Sequence, residues 1–237
     1  MRSFPTSETP FLLPGPAGNL EVIASPAEEN NHQSITAVIC HPHPLFGGTM
    51  NNKVVTTLAR TFHELGLATV RFNFRGVGKS TGTHADGVGE VDDLLAVVDW
   101  VKKTCPDNQL WLAGFSFGGY IAARVATQIP VAQLVTVAPQ ASRFTAEFPP
   151  IIVPWVLVQG EEDDVVSPQE VYAWIDTLEH KPVLIRIPGA GHFFHGKLLE
   201  LRDRLEQVLH PGSDLCGSIK GPKDSSTNKK HLDEFGE

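Results

Sequence analysis

Ser116 stands in the run "LWLAGFSFGGY", residues 110–120, with Gly114 two positions before it and Gly118 two after. An apolar stretch stops at the first glycine, and a helix-like pattern, "FGGYIAARVATQ", follows. Glycines at those offsets leave room for a sharp strand-to-helix turn that projects the hydroxyl. The start of the helix also aims backbone N–H groups at any negative charge forming nearby. A hydroxyl so placed could attack an acyl carbon. Packing alone offers a second reading, a serine helix cap whose glycines let helix and sheet approach.

A serine hydroxyl needs a base, and the base needs an acid to orient it. Both types lie downstream. "WVLVQGEEDDVVSP" ends an apolar run in four acids, Glu161, Glu162, Asp163 and Asp164. "VLIRIPGAGHFFHG" ends the next run in a glycine loop carrying His192 and His195. Acyl transfer also needs two N–H donors for the developing oxyanion. The residue after the serine, Phe117, can supply one. The loop "HPHPLFGG" after an earlier strand can supply the other. Pro42 and Pro44 carry no N–H, which leaves His43 or Leu45.

These residues need elements that bring them to one rim. Strand-like and helix-like runs alternate along the chain: "TAVIC" and "NKVVTTLARTFHELG", "ATVRFNF" and "GEVDDLLAVVDWVKK", "QLWLAGF" and "FGGYIAARVATQ". "QLVTVAP" leads with little between to "PWVLVQG", then come "PQEVYAWIDTLEH", "PVLIRIP" and "GKLLELRDRLEQVL". Val54, Leu58, Phe62 and Leu65 recur at helical spacing and give one apolar face. The strands are nearly continuous apolar runs, as in a sheet covered by helices on both sides. The pattern predicts a doubly wound, mostly parallel α/β sheet, with "NLEVIAS" as an edge strand. Ligands in such sheets bind beyond the carboxyl ends of the strands, where Ser116, the acids and the histidines all fall.

The 237 residues suit one α/β domain, residues 1–211, followed by a polar, disordered tail over 212–237. With 41% hydrophobic and 19% charged residues the composition is that of a soluble globule. No apolar run approaches the roughly 18 residues of a membrane span, and prolines interrupt the N-terminus before a signal peptide could form. Cys40, Cys105 and Cys216 are scattered and form no CxxC, which fits reduced thiols in the cytoplasm. A net charge of −8 argues against nucleic acid as a partner.

Two other motifs are set aside. "GVGKST" at 76–81 lacks the glycine a phosphate loop needs, Asn73 standing there, and a dinucleotide fingerprint would need glycine where Thr81 stands. The run reads instead as a turn. His41 and His43 form an H-x-H pair that could ligate zinc, but no third ligand is in sight, so no metal is expected. The aromatics of "SRFTAEF" could line an acyl pocket or simply pack.

The segments "HPHPLFGGTMNNKVV", "VRFNFRGVGKSTG", "WLAGFSFGGY", "VQGEEDDVVSP" and "GAGHFFHGKL" resemble those of the α/β-hydrolase superfamily. More narrowly, the chain resembles the small lidless bacterial hydrolases and carboxylesterases related to dienelactone hydrolases. The resemblance spans about residues 40–200. It implies that Asp163, through the match of residues 160–166 to G-x-x-D-x-x-V, is the acid rather than Asp164. It also implies that His192 rather than His195 is the base, and that His43 gives the second oxyanion amide; the "GVGKST" turn would help wall the site. Only about fifteen residues separate "QLVTVAP" from "PWVLVQG", too few for a cap domain, which usually takes about 50 or more. The expectation is a cytoplasmic serine hydrolase for small or short-acyl carboxylic esters, needing no cofactor and no membrane. Acyl transfer, thioester or amide cleavage, and a non-catalytic binding scaffold are the competing readings.

Overall fold

The computed structural model describes residues 3–28, 33–145 and 147–209. The expected tail and Cys216 lie outside the described residues. Among the described residues eight strands form one sheet in the order β1-β2-β4-β3-β5-β6-β7-β8. They are β1 (Thr9–Gly15), β2 (Gly18–Ser25), β3 (Ile35–Cys40), β4 (Ala68–Phe72), β5 (Gln109–Phe115), β6 (Gln133–Val137), β7 (Trp155–Gly160) and β8 (Val183–Ile187). From β4 through β8 every neighbour is parallel, while β1 and β2 form a hairpin that joins β4 antiparallel.

The expected edge strand is therefore not the edge. "NLEVIAS" lies second, in β2, and "TPFLLPG" is the outer strand. Pro10 and Pro14 erase the usual strand signature, yet on an outer strand a missing N–H removes no bond from an inner ladder. Phe11 and Leu13 alternate inward in β1, and the Phe11 ring lies 5.0 Å from that of Trp100.

Among the described residues five helices cover the sheet: α1 (Lys53–Glu64), α2 (Val88–Thr104), α3 (Phe117–Ala126), α4 (Pro168–Asp176) and α5 (Leu198–Leu209). Helices α1 and α5 share one apolar core with one face of the sheet, and α2, α3 and α4 share the other. The expected α1 face of Val54, Leu58, Phe62 and Leu65 is buried, and Asn52 caps this helix through the Val54 amide at 2.9 Å. Between β6 and β7 the only regular piece among the described residues is a 3-10 turn, Ala141–Arg143, so no lid covers the rim there. Phe144, next to that turn, packs into the core with its ring centre 4.3 Å from that of Trp174.

Candidate active site

Ser116 occupies the turn between β5 and α3 with φ 54° and ψ −119°. A side chain at positive φ is strained, by about 1–3 kcal/mol, and persists only where its surroundings hold it. Here they do. The Ser116 amide donates to the Val137 carbonyl at 2.9 Å, and the Gly119 amide donates back to the Ser116 carbonyl at 2.9 Å. Position 118 must be glycine, because a Cβ there would lie 2.4 Å from the Cys40 carbonyl oxygen and 2.5 Å from that of His41. The first turn of α3 is thus pressed against the end of β3, where the loop bearing His43 begins.

The loops after β7 and β8 are stitched to each other. A Cβ at Gly160 would meet the Ala190 carbonyl oxygen at 2.3 Å, and the Glu162 amide donates to that same oxygen at 3.0 Å. This closeness brings two distant parts of the chain into one line of hydrogen bonds. His192 Nε2 lies 3.1 Å from Ser116 Oγ, and His192 Nδ1 lies 2.8 Å from Asp163 Oδ2. All three residues are buried. The Phe115 ring, 4.9 Å from the imidazole, backs it from the sheet side.

Asp163 turns inward because its Oδ1 accepts the amides of Val165 at 2.9 Å and Val166 at 2.7 Å. Burial pushes its carboxyl up, but the bond from His192 and the Val166 and Val165 amides outweigh that and hold it below the usual carboxylate range. Glu161, Glu162 and Asp164 are exposed, as is His195. The structure joins Ser116, His192 and Asp163 and leaves those four outside.

His43 caps the short 3-10 turn Pro44–Phe46, its Nδ1 accepting the Leu45 amide at 3.3 Å. Burial first, then His84 and Arg143, hold its imidazole below the ordinary range, which suits an acceptor nitrogen. The backbone N–H groups of His43 and Phe117 donate to no other described residue. Beside Ser116 lies a cleft of about 160 Å³, walled by His43, Phe46, Gln140, Val165 and Glu170. The arrangement offers a hydroxyl, an imidazole to take its proton, a carboxylate behind the imidazole and two amides without internal acceptors.

A family model described as alpha/beta hydrolase fold matches residues 38–150. A solved α/β serine hydrolase homologue from Coxiella burnetii is 50% identical with a TM-score of 0.83, over 86% of this chain and 98% of that one. The chain belongs to the α/β-hydrolase family. The solved XC6422 of Xanthomonas campestris, described as a serine hydrolase without lid, is 44% identical to this hydrolase with a TM-score of 0.85, over 90% and 100% of the two chains. The uncharacterized protein RP471 of Rickettsia prowazekii is 34% identical, covering 82% of this hydrolase and 86% of its own length. No helix among the described residues is long and apolar enough to cross a membrane.

The two set-aside motifs of this hydrolase have structural tasks. The "GVGKST" turn does not line the cleft, contrary to the expectation that it helps wall the site. It grips β2 instead, with Ser80 Oγ accepting the Glu21 amide at 2.9 Å and Thr81 Oγ1 accepting the Asn19 amide at 2.7 Å. His41 is buried with both nitrogens engaged, Nδ1 at 2.6 Å from the Pro42 carbonyl and Nε2 accepting the Phe74 amide at 3.1 Å. The ring is neutral and ties the start of the His43 loop to the end of β4.

Burial lowers the His41 imidazole from 6.5 to about 4, against the Pro42 bond and the Glu90 charge, which raise it. The unfolded chain binds this proton below its ordinary value while the folded one resists until about 4. Stability complete above that ordinary value is therefore lost as pH falls, by about 3 kcal/mol for this residue. Urea unfolding at pH 7 and pH 4 checks it. Wild type is expected to lose about 3 kcal/mol more than His41→Gln over that interval; equal losses contradict it.

Sequence reasoning missed Gln159. Its signal was a lone amide at the end of the apolar strand "WVLVQG". It missed the Val165 and Val166 amides too, because backbone donors carry no mark in residue type.

Proposed function

We propose that this hydrolase cleaves small or short-acyl carboxylic esters through a Ser116–His192–Asp163 triad and an acyl-enzyme. The observation that carries the reading is His192 bridging the other two, 3.1 Å from Ser116 Oγ and 2.8 Å from Asp163 Oδ2. Ser116 Oγ attacks the ester carbonyl carbon, and its proton passes to His192 Nε2. Asp163 keeps the Nδ1–H tautomer and stabilises the imidazolium. The amides of Phe117 and His43 hold the oxyanion, each worth about 3–4 kcal/mol in such sites.

The tetrahedral intermediate collapses when the bond to the alcohol oxygen breaks and His192 returns the proton to it. Water then attacks the acyl-enzyme and gives a proton to His192. The carboxylic acid departs and Ser116 regains its hydrogen. These steps call on no metal or organic cofactor, and a small-molecule ester and water are the partners. The three scattered cysteines, which form no CxxC, support a cytoplasmic setting.

The small cleft supports the short acyl group, since sites for drug-sized ligands enclose about 300–1,000 Å³. Phe46 and Val165 are apolar walls, exposed by 85% and 62% with no lid over them among the described residues. Turnover of a p-nitrophenyl series from acetate to palmitate tests this. kcat/KM is expected to fall at least about tenfold, or 1.4 kcal/mol, between butyrate and palmitate. A palmitate optimum contradicts the short-acyl reading.

A further inference from the structure

Gln159 is fully buried near the end of β7, after Val156, Leu157 and Val158. Its Nε2 lies 3.1 Å from Asp163 Oδ2, 3.3 Å from the Gly160 carbonyl oxygen and 3.3 Å from that of Val166. All three partners are acceptors, so the NH₂ and not the oxygen must face them. That leaves Oε1 buried with no partner among the described residues. Buried amide oxygens are nearly always paired, and an unpaired one is destabilising. An apolar residue would avoid the penalty, as its neighbours on the strand do. Rules of this kind are broken where a site needs it.

The need is visible at Asp163. Its Oδ1 is held by the Val165 and Val166 amides, whereas Oδ2 has His192 and Gln159. Without Gln159, the oxygen that aims the imidazole would be held only by the imidazole it must aim. We infer that Gln159 is a positioning residue, whose N–H fixes Asp163 Oδ2 behind His192 and so sets the line from His192 to Ser116. This rests on the triad reading proposed above. The titratable and charged groups around the amide are Asp163 and His192 on the site side. On the β8 side is its register partner Arg186, whose guanidinium lies 4.0 Å over the Tyr172 ring of α4, and the charge of Glu161, two residues beyond Gln159, also acts on Tyr172.

The test uses the full chain with Gln159→Met and Gln159→Glu, read by p-nitrophenyl acetate kinetics and by the rate of fluorophosphonate labelling. Gln159→Met keeps the length and removes the donor. Its kcat and labelling rate are expected to fall about tenfold or more with KM within about twofold. In Gln159→Glu, burial keeps the new carboxyl protonated near neutral pH, so its O–H donates to Asp163 and the rate stays close to wild type. As pH rises the second carboxyl ionises and repels the first. A new alkaline limb in kcat, absent from wild type, is expected.

A merely structural role would shift unfolding and leave the pH profile unchanged. Wild-type kcat and labelling in Gln159→Met overturn the inference, and so does a Gln159→Glu profile that follows wild type into alkali. Should Gln159→Met fail to fold, the Gln159→Glu profile decides alone. A wild-type chain that is not labelled at all removes the triad reading and this inference together. A labelled wild type with an undisturbed Gln159→Met removes only the role of Gln159.

Discussion

Ser116→Ala is expected to lower kcat/KM for p-nitrophenyl acetate by about 10⁴- to 10⁶-fold, with folding stability within about 1 kcal/mol of wild type. The kinetic loss is large because the proposed route has no second nucleophile. Alanine leaves the His192–Asp163 pair and the two amides in place, so a small residual rate from binding and oxyanion stabilisation remains. The stability change is small because, among the described residues, the side chain of Ser116 bonds only to His192, at 3.1 Å. Alanine at φ 54° bears much the same backbone strain. Steady-state kinetics paired with urea unfolding reads both halves. A variant that keeps a tenth of the wild-type rate would mean another group attacks the ester.

Asp163→Asn is the second large effect, about 10³- to 10⁴-fold in kcat. The shape of the side chain is kept and the donor pattern is reversed. The Val165 and Val166 amides, at 2.9 and 2.7 Å, select the asparagine oxygen for the Oδ1 position. The NH₂ then faces His192 Nδ1 and the Gln159 NH₂, where both original partners donate. His192 must turn its lone pair on Nδ1 toward the new donor, which places its hydrogen on Nε2. That tautomer cannot take the proton of Ser116. kcat over a range of pH is the check, and an Asp163→Asn rate within tenfold of wild type at every pH contradicts the role given to Asp163.

Much of the architecture was legible in the chain. Apolar runs separated by amphipathic helices mark β3 to β8, because strands covered on both faces need little polar character. The outer strand was not legible. Pro10 and Pro14 look like breakers, and only the sheet order reveals that β1 bonds on one side alone.

Ser116 stood out through its glycines, for which the structure supplies the reason in the Cys40 and His41 carbonyls packed against position 118. The neighbouring carboxyls at 161–164 were harder to separate by residue type, since four acids in a row share one chemistry. Two backbone amides later in the same loop turn Asp163 inward, and they are visible only once the loop is folded. Gln159 escaped for a related reason. A glutamine at a strand end reads as a border residue until its depth and its three acceptors are known.

The central claim is that Ser116 is made nucleophilic by His192, and its most direct measurement is mass spectrometry of the whole chain after exposure to a fluorophosphonate. One phosphonyl group per chain is expected, mapping to the peptide that contains Ser116, and none after His192→Ala under the same exposure. An unmodified wild-type chain, or a group carried on a different residue, would contradict it.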